Sequence, residues 1–301
     1  MNNFYAKVDT INETSYDTNT LSVLDESGNR LTLRIDENEP LKIGEVYYFE
    51  TEPIVFKERD QLLVKKYKAL TDMQLPLNEL SVIMRNFYQY APVDMENVKK
   101  GIEAFIAPIK NETIHKITQD IYLRYQDNFY LYPAATKFHH AYIGGLAHHT
   151  HVMMQLAAKM VDVYTFLNYD LLMAGLLLHD IMKTLELSDY KAPEYTKEGR
   201  LIGHITMGVK EITKTATRLD LYDTEERLLL EHMILSHHYY GNFGSPKKPN
   251  IPEALALHFI DNIDSKMAVL GEALELIQEG EFTQPLPVLD RERFYKAIVK
   301  K

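Results

Sequence analysis

Hydrophobic and polar positions follow two different rhythms along the chain. Up to about residue 70, apolar and polar residues alternate. The stretch "TLSVLDESGNRLTLRI" (20–35) holds two alternating runs around "DESGN". That pattern predicts a β-hairpin, because successive strand side chains point to opposite faces. "EVYYFETEPIVF" (45–56) and "DQLLVKKYKAL" (60–70) continue it. Four or five short strands with little helix predict a small barrel or sandwich. From Leu77 the apolar spacing becomes helical, in "LNELSVIMRNFYQYA" and "VDMENVKKGIEAFIAPI", divided by Pro92. It stays helical to Ile277, with "APEYTKEGR" and "GNFGSPKKPNIP" as the clearest loops. No internal repeat interrupts it. The predicted layout is a β module over residues 1–72, a helical connector over 73–135 and an all-α domain over 136–301.

Composition narrows the class. At 46% hydrophobic and 25% charged, the 301 residues read as globular. The longest strongly apolar stretch, "LLMAGLLL", has eight residues, against about 20 for a membrane span. "MNNFYAKVDT" lacks the pattern of a secretory signal. The absence of cysteine excludes disulfides and thiolate metal sites and fits a cytoplasmic protein. A net charge of −10 argues against broad electrostatic adhesion to nucleic acid, though a bound metal can invert the charge of a local site.

The twelve histidines all fall between residues 115 and 258. The informative ones lie in "GGLAHHTH" (144–151), "LLLHDIMK" (176–183), "LIGHITMG" (201–208), "LSHHYYGNFGSP" (235–246) and "LHFIDNIDSKM" (257–267). One histidine in an apolar helix is ordinarily a satisfied core residue. Five such segments in succession would bury many polar groups, which is unfavourable unless each is paired or coordinated. A metal centre satisfies them together. Its nitrogen and oxygen donors suit manganese, iron, cobalt, nickel or zinc. Adjacent helix residues diverge by about 100°, so His179 and Asp180 can reach one ion from neighbouring directions. The second oxygen of Asp180 remains for another ion. Asp261 and Asp264, three apart, share a helix face. Only one need be a ligand; the other could orient it or cap a neighbour.

The order His149, His179-Asp180, His204, His237 with His238, and Asp261 resembles the HD-domain metal-dependent phosphohydrolases, over roughly residues 140–270. "YPAATKFHHAYIGGLAHHT" (132–150), "LSHHYYGNFGSPKKP" (235–249) and "LHFIDNIDSKM" are similar to the YhaM-type 3′-to-5′ exoribonucleases of Gram-positive bacteria, also described as cmp-binding factor. The resemblance implies an N-terminal OB-fold and an all-helical HD domain around one or two divalent ions, manganese first among the candidates. It also implies hydrolysis of single-stranded RNA, with DNA as a second substrate, to nucleoside 5′-monophosphates. His149, His179, Asp180 and Asp261 would hold one ion, and His204, His237 and His238 the other, with Asp180 as the bridge. Lys183 would point toward the substrate phosphate.

Lys137, His139 and His140 precede the first ligand and are candidates to meet phosphate or ribose, as are Lys247 and Lys248 on the loop after the paired histidines. Tyr239 and Tyr240 could stack a base, and Tyr47, Phe49 and Phe56 could form a stacking platform in the β module. Core packing is expected for one face of that strand.

Two features depart from the family pattern. Met182 stands where a glycine is frequent, which alters helix packing but removes no ligand. Residues 1–70 carry nine Lys/Arg against thirteen Asp/Glu, a poor balance for RNA binding. The alternatives are a nucleotide or cyclic-dinucleotide phosphohydrolase, although no "GYP" signature is present, and a non-catalytic DNA-binding factor. No membrane partner is expected, and a homo-oligomer is left open.

Overall fold

The computed structural model describes residues 2–13, 18–35, 41–56, 58–137 and 140–299. Two compact units, Met1–Tyr90 and Ala91–Lys301, divide the chain.

In the first unit the alternating segments form β1 (Asn2–Glu13), β2 (Asn19–Asp25), β3 (Arg30–Ile35), β4 (Val46–Phe56) and β5 (Arg59–Ala69). They close into a barrel in the order β1-β2-β3-β5-β4. Every pairing is antiparallel except β3 with β5, where Leu33 faces Leu62 and Arg34 faces Leu63. A five-stranded closed barrel of this kind is consistent with the OB-fold. The β2–β3 turn is set by Asp25, whose Oδ1 accepts from the amides of Ser27 (2.9 Å) and Asn29 (2.7 Å). Alternation fills the interior with Val8, Leu21, Val23, Leu33, Tyr47 and Phe49.

Tyr47 and Phe49 are only 5% and 0% exposed, so they are core residues and not a base-stacking platform. The Tyr47 hydroxyl is satisfied inside by the Lys42 amide at 2.9 Å. Phe56 lies under the Arg34 guanidinium, 3.7 Å from the ring centroid.

The second unit is helical. It contains α2 (Met95–Ile106), α3 (Glu112–Phe129), α4 (Gly145–Val163), α5 (Tyr169–Leu178), α6 (Lys183–Glu186), α7 (Lys197–Arg218), α8 (Glu225–Ser236) and α9 (Pro252–Glu275), while α1 (Leu77–Arg85) belongs to the barrel unit. Side-chain caps start several helices. Asp94, Asn111, Asn168 and Thr196 each accept an amide in the first turn. In α5 every residue from Leu171 to Leu178 is buried. The helix packs against α3, α4, α8 and α9, which is why it is apolar all round.

The segment expected as a connector over 73–135 is split between the units. Its helices α2 and α3 bury Met95, Val98, Ile102, Ile114, Ile117 and Ile121. They pack against α4, α5 and α7, as part of the helical core. Among the described residues no helix is long and apolar enough to cross a membrane.

Candidate metal centre

Five helices or helix ends deliver the candidate ligands. α5 stops where its apolar run stops: His179 is its C-terminal cap and Asp180 follows, 1% and 4% exposed. His149 lies on α4, His237 and His238 at the end of α8, and Asp261 on α9. His204 follows a break inside α7 at Gly203, whose φ of 75° and ψ of 155° favour glycine. Met182 lies in an ordinary right-handed conformation, φ −73° and ψ −5°, so the backbone there does not demand a glycine.

The ligand atoms of His149, His179 and Asp261 lie within 4.8 Å of one another, and so do those of His204, His237 and His238. Asp180 stands between the two groups. Its Oδ2 is 3.3 Å from His179 Nε2, and its Oδ1 is 3.3 Å from His204 Nε2 and 3.9 Å from His237 Nε2. The Nε2 atoms of His179, His204 and His237 and Asp180 Oδ1 are buried without a hydrogen-bond partner. Each such orphan costs about 1–3 kcal/mol. Their convergence fits a divalent cation, which imidazole and carboxylate donors both accept.

The other ring nitrogens are held so that Nε2 faces inward. His179 Nδ1 donates to Leu176 O and His237 Nδ1 to Ile234 O, both at 2.8 Å. His238 Nδ1 donates to Phe243 O. Such outer contacts fix the tautomer and the ring direction of a ligand.

Asp264, one turn after Asp261, receives His149 Nδ1 at 2.6 Å and His140 Nε2 at 2.8 Å. It therefore orients His149. His140 is 3% exposed and also bonds the Tyr142 hydroxyl at 2.7 Å. In this position it supports Asp264 from behind. Gly145 permits this arrangement, because a Cβ there would meet His140 O at 2.0 Å.

Lys183 stands beside Asp180. Its ammonium donates to Asp180 Oδ2 and to Ala134 O, each at 2.6 Å, and so holds Asp180 in position. The same side chain lines a pocket of about 280 Å³ with Lys137, Glu186, Tyr195 and His204. Lys137, Lys247 and Lys248 are exposed, and Lys248 Nζ lies 5.0 Å from the Tyr239 ring centroid. Tyr239 packs against Tyr240 (4.7 Å) and His258 (5.1 Å). His139 lies outside the described residues.

Glu186 is the residue that sequence reasoning missed. It accepts the His204 backbone amide at 2.9 Å and His204 Nδ1 at 3.0 and 3.1 Å. Nothing local marks it; only the fold around Gly203 brings it to His204.

Electrostatics prepare the donors. Burial alone would raise Asp180, but Lys183, His179 and His204 hold it well below the usual carboxylate range. Burial, reinforced by His238 and His179, pushes His237 well down, leaving it neutral with a free lone pair. Burial would lower His149 as well, yet its hydrogen bonds to Asp261 and Asp264 prevail and raise it to about 9.

Residues 146–266 match the HD domain family model. The chain is 44% identical over 218 residues to "3′-5′ exoribonuclease YhaM" of Geobacillus sp. (strain WCH70), covering 72% of this chain and 67% of that one. It is 39% identical over 254 residues to the protein of the same name from Bacillus pumilus (strain SAFR-032), covering 84% and 76%. For the Bacillus subtilis (strain 168) protein of that name the identity is 38% over 259 residues, covering 86% and 78%. A solved replication protein A heterotrimer bound to single-stranded DNA shares 13% identity over 28% of this chain and 65% of that one, with a TM-score of 0.22, too low for a structural argument. With an HD-domain match over its histidine-rich helices and this identity along most of its length, the chain belongs to the family of YhaM-type 3′-5′ exoribonucleases.

Proposed function

We propose that the chain is a metal-dependent 3′-5′ exoribonuclease that releases nucleoside 5′-monophosphates from single-stranded RNA, with manganese as its ion. The observation that carries this reading is the buried convergence of three imidazole Nε2 atoms on one carboxylate: His204 and His237 on Asp180 Oδ1 and His179 on Asp180 Oδ2.

His149, His179 and Asp261 would hold one ion and His204, His237 and His238 a second, with Asp180 able to serve both. A bound divalent ion supplies Lewis acidity and lowers the pKa of water toward neutrality. The protein's own contribution is position and charge. Lys183 keeps Asp180 ionised and fixed. Asp264 and Glu186 aim His149 and His204. Exposed Lys137 offers a cation at the pocket beside His204. In the reaction water adds to the terminal phosphorus and the bond to the 3′-oxygen of the preceding nucleotide breaks. That oxygen takes a proton, and the last residue departs as its 5′-monophosphate.

The test is end-labelled RNA, DNA and mononucleotides with and without Mn²⁺. The expected outcome is stepwise shortening of RNA from the 3′ end, abolished by chelator. Hydrolysis of mononucleotides alone, or no metal-dependent cleavage at all, would overturn the reading.

A further inference from the structure

A second pocket, of about 510 Å³, opens on the candidate metal centre, with His238, Tyr240, Phe243, Asp261, Asn262 and Lys266 in its lining. Its volume falls in the range of small-molecule sites, about 300–1,000 Å³. Its two walls differ in chemistry. One is aromatic and comes from the segment after α8, where Tyr240 and Phe243 are 51% and 63% exposed with ring centroids 6.2 Å apart. The other is the face of α9 on which Asn262, Ser265 and Lys266 follow one another at helical spacing. Phe259, 51% exposed, adds a third ring. Apolar rings cost solvation free energy when left in water, and these three border one cleft.

Two members of the lining, His238 and Asp261, also belong to the candidate ligand groups. A phosphodiester held at those groups therefore has its neighbouring nucleoside at the mouth of this pocket. The aromatic wall is tied to the same place, because Phe243 O accepts from His238 Nδ1 and Ser245 Oγ accepts the His238 amide at 3.0 Å. Ser265 Oγ donates to Asp261 Oδ1 at 3.2 Å, tying the α9 wall in turn. Tyr239 is half-buried against His258, whereas Tyr240 and Phe243 are exposed and line the pocket, which leaves base stacking to those two.

We infer that this pocket is the base-binding subsite of the enzyme: the nucleobase of the residue bonded to the scissile phosphate stacks on Tyr240 and Phe243, with Asn262 and Lys266 facing its ribose and phosphate. The inference rests on the exoribonuclease reading for its substrate class. Stacking on rings accepts any base, so the subsite grips a terminal nucleotide without choosing its sequence.

The experiment uses the full chain and its Tyr240→Ala/Phe243→Ala double variant, neither residue being a candidate ligand. The first arm titrates AMP and ribose 5-phosphate into each protein, with and without Mn²⁺. AMP should bind the native chain about 5- to 150-fold more tightly than the base-free phosphate, and the variant should lose that preference. The second arm compares RNA ending in a normal residue with RNA ending in an abasic one. In the native enzyme the missing base should raise KM with little change in kcat; in the variant the two substrates should become alike. Equal binding of AMP and ribose 5-phosphate by the native chain would overturn the subsite. So would a variant that is equally impaired on both RNA ends, which marks a merely structural role. If no RNA is cleaved yet AMP is preferred and the preference depends on Tyr240 and Phe243, the subsite stands and the exoribonuclease reading falls.

Discussion

Replacing Glu186 with alanine removes the acceptor for two half-buried donors of one candidate ligand. In the native chain the carboxylate takes the His204 amide at 2.9 Å and His204 Nδ1 at 3.0 and 3.1 Å. Burial would raise its pKa, but the His204 hydrogen bonds hold it below the ordinary glutamate value, so it stays ionised. Without it, His204 loses both the tautomer lock and the anchor that keeps Nε2 3.3 Å from Asp180 Oδ1. Loss of such an outer partner costs about 10- to 100-fold in metal affinity, equivalent to about 1.4–2.7 kcal/mol. The unpaired amide removes a further 1–3 kcal/mol or so of folding stability. Mn²⁺ titration of the folded variant, followed by calorimetry, should show one weakened site, at His204, His237 and His238. The site at His149, His179 and Asp261 should keep its affinity. Glu186→Gln keeps one carbonyl acceptor and should fall between the native chain and the alanine variant. Two native-like affinities in a folded Glu186→Ala protein would refute the argument that Glu186 directs His204.

Asp180→Asn keeps the size of the side chain but removes the charge between the two ligand groups, so RNA cleavage should fall by orders of magnitude while circular dichroism stays native. Near-native cleavage by that variant would dispose of the bridging role. His149 gives a pH prediction. Its folded pKa of about 9 stands above its ordinary 6.5, so in the metal-free protein it carries a proton at neutral pH that an ion must displace. Apparent Mn²⁺ affinity should therefore climb with pH, by up to about tenfold per unit, and level off near pH 9. For the metal-free protein the sign is opposite. The raised pKa contributes stability that is full below pH 6.5 and is lost as pH rises through 9. A metal affinity that does not change between pH 6.5 and 8.5 would contradict both statements.

Much of this protein is written locally. Alternation in "TLSVLDESGNRLTLRI" determines strands because a strand's two faces see different surroundings, and the barrel interior takes the alternating set that includes Leu21, Val23 and Leu33. The all-round apolar character of α5 determines that it is central. The order of histidines and aspartates, with no cysteine to compete, determines the donor chemistry. What the sequence could not decide is which polar groups face a common point and which stand behind them. Asp264 and Asp261 share a helix face, yet only their distances separate a residue that orients His149 from a candidate ligand. That His140 stands buried against Asp264, 124 residues further along the chain, is likewise settled only in the fold. Tyr47 and Phe49 look like a stacking platform until barrel closure turns them inward. Glu186 is an ordinary acidic residue until the break at Gly203 sets His204 against it. Periodicity and donor type are properties of neighbouring residues, so the chain carries them openly. The pairing of Glu186 with His204, of Lys183 with the Ala134 carbonyl and of Asp264 with His149 joins residues far apart in the chain, and only the packed helices decide that.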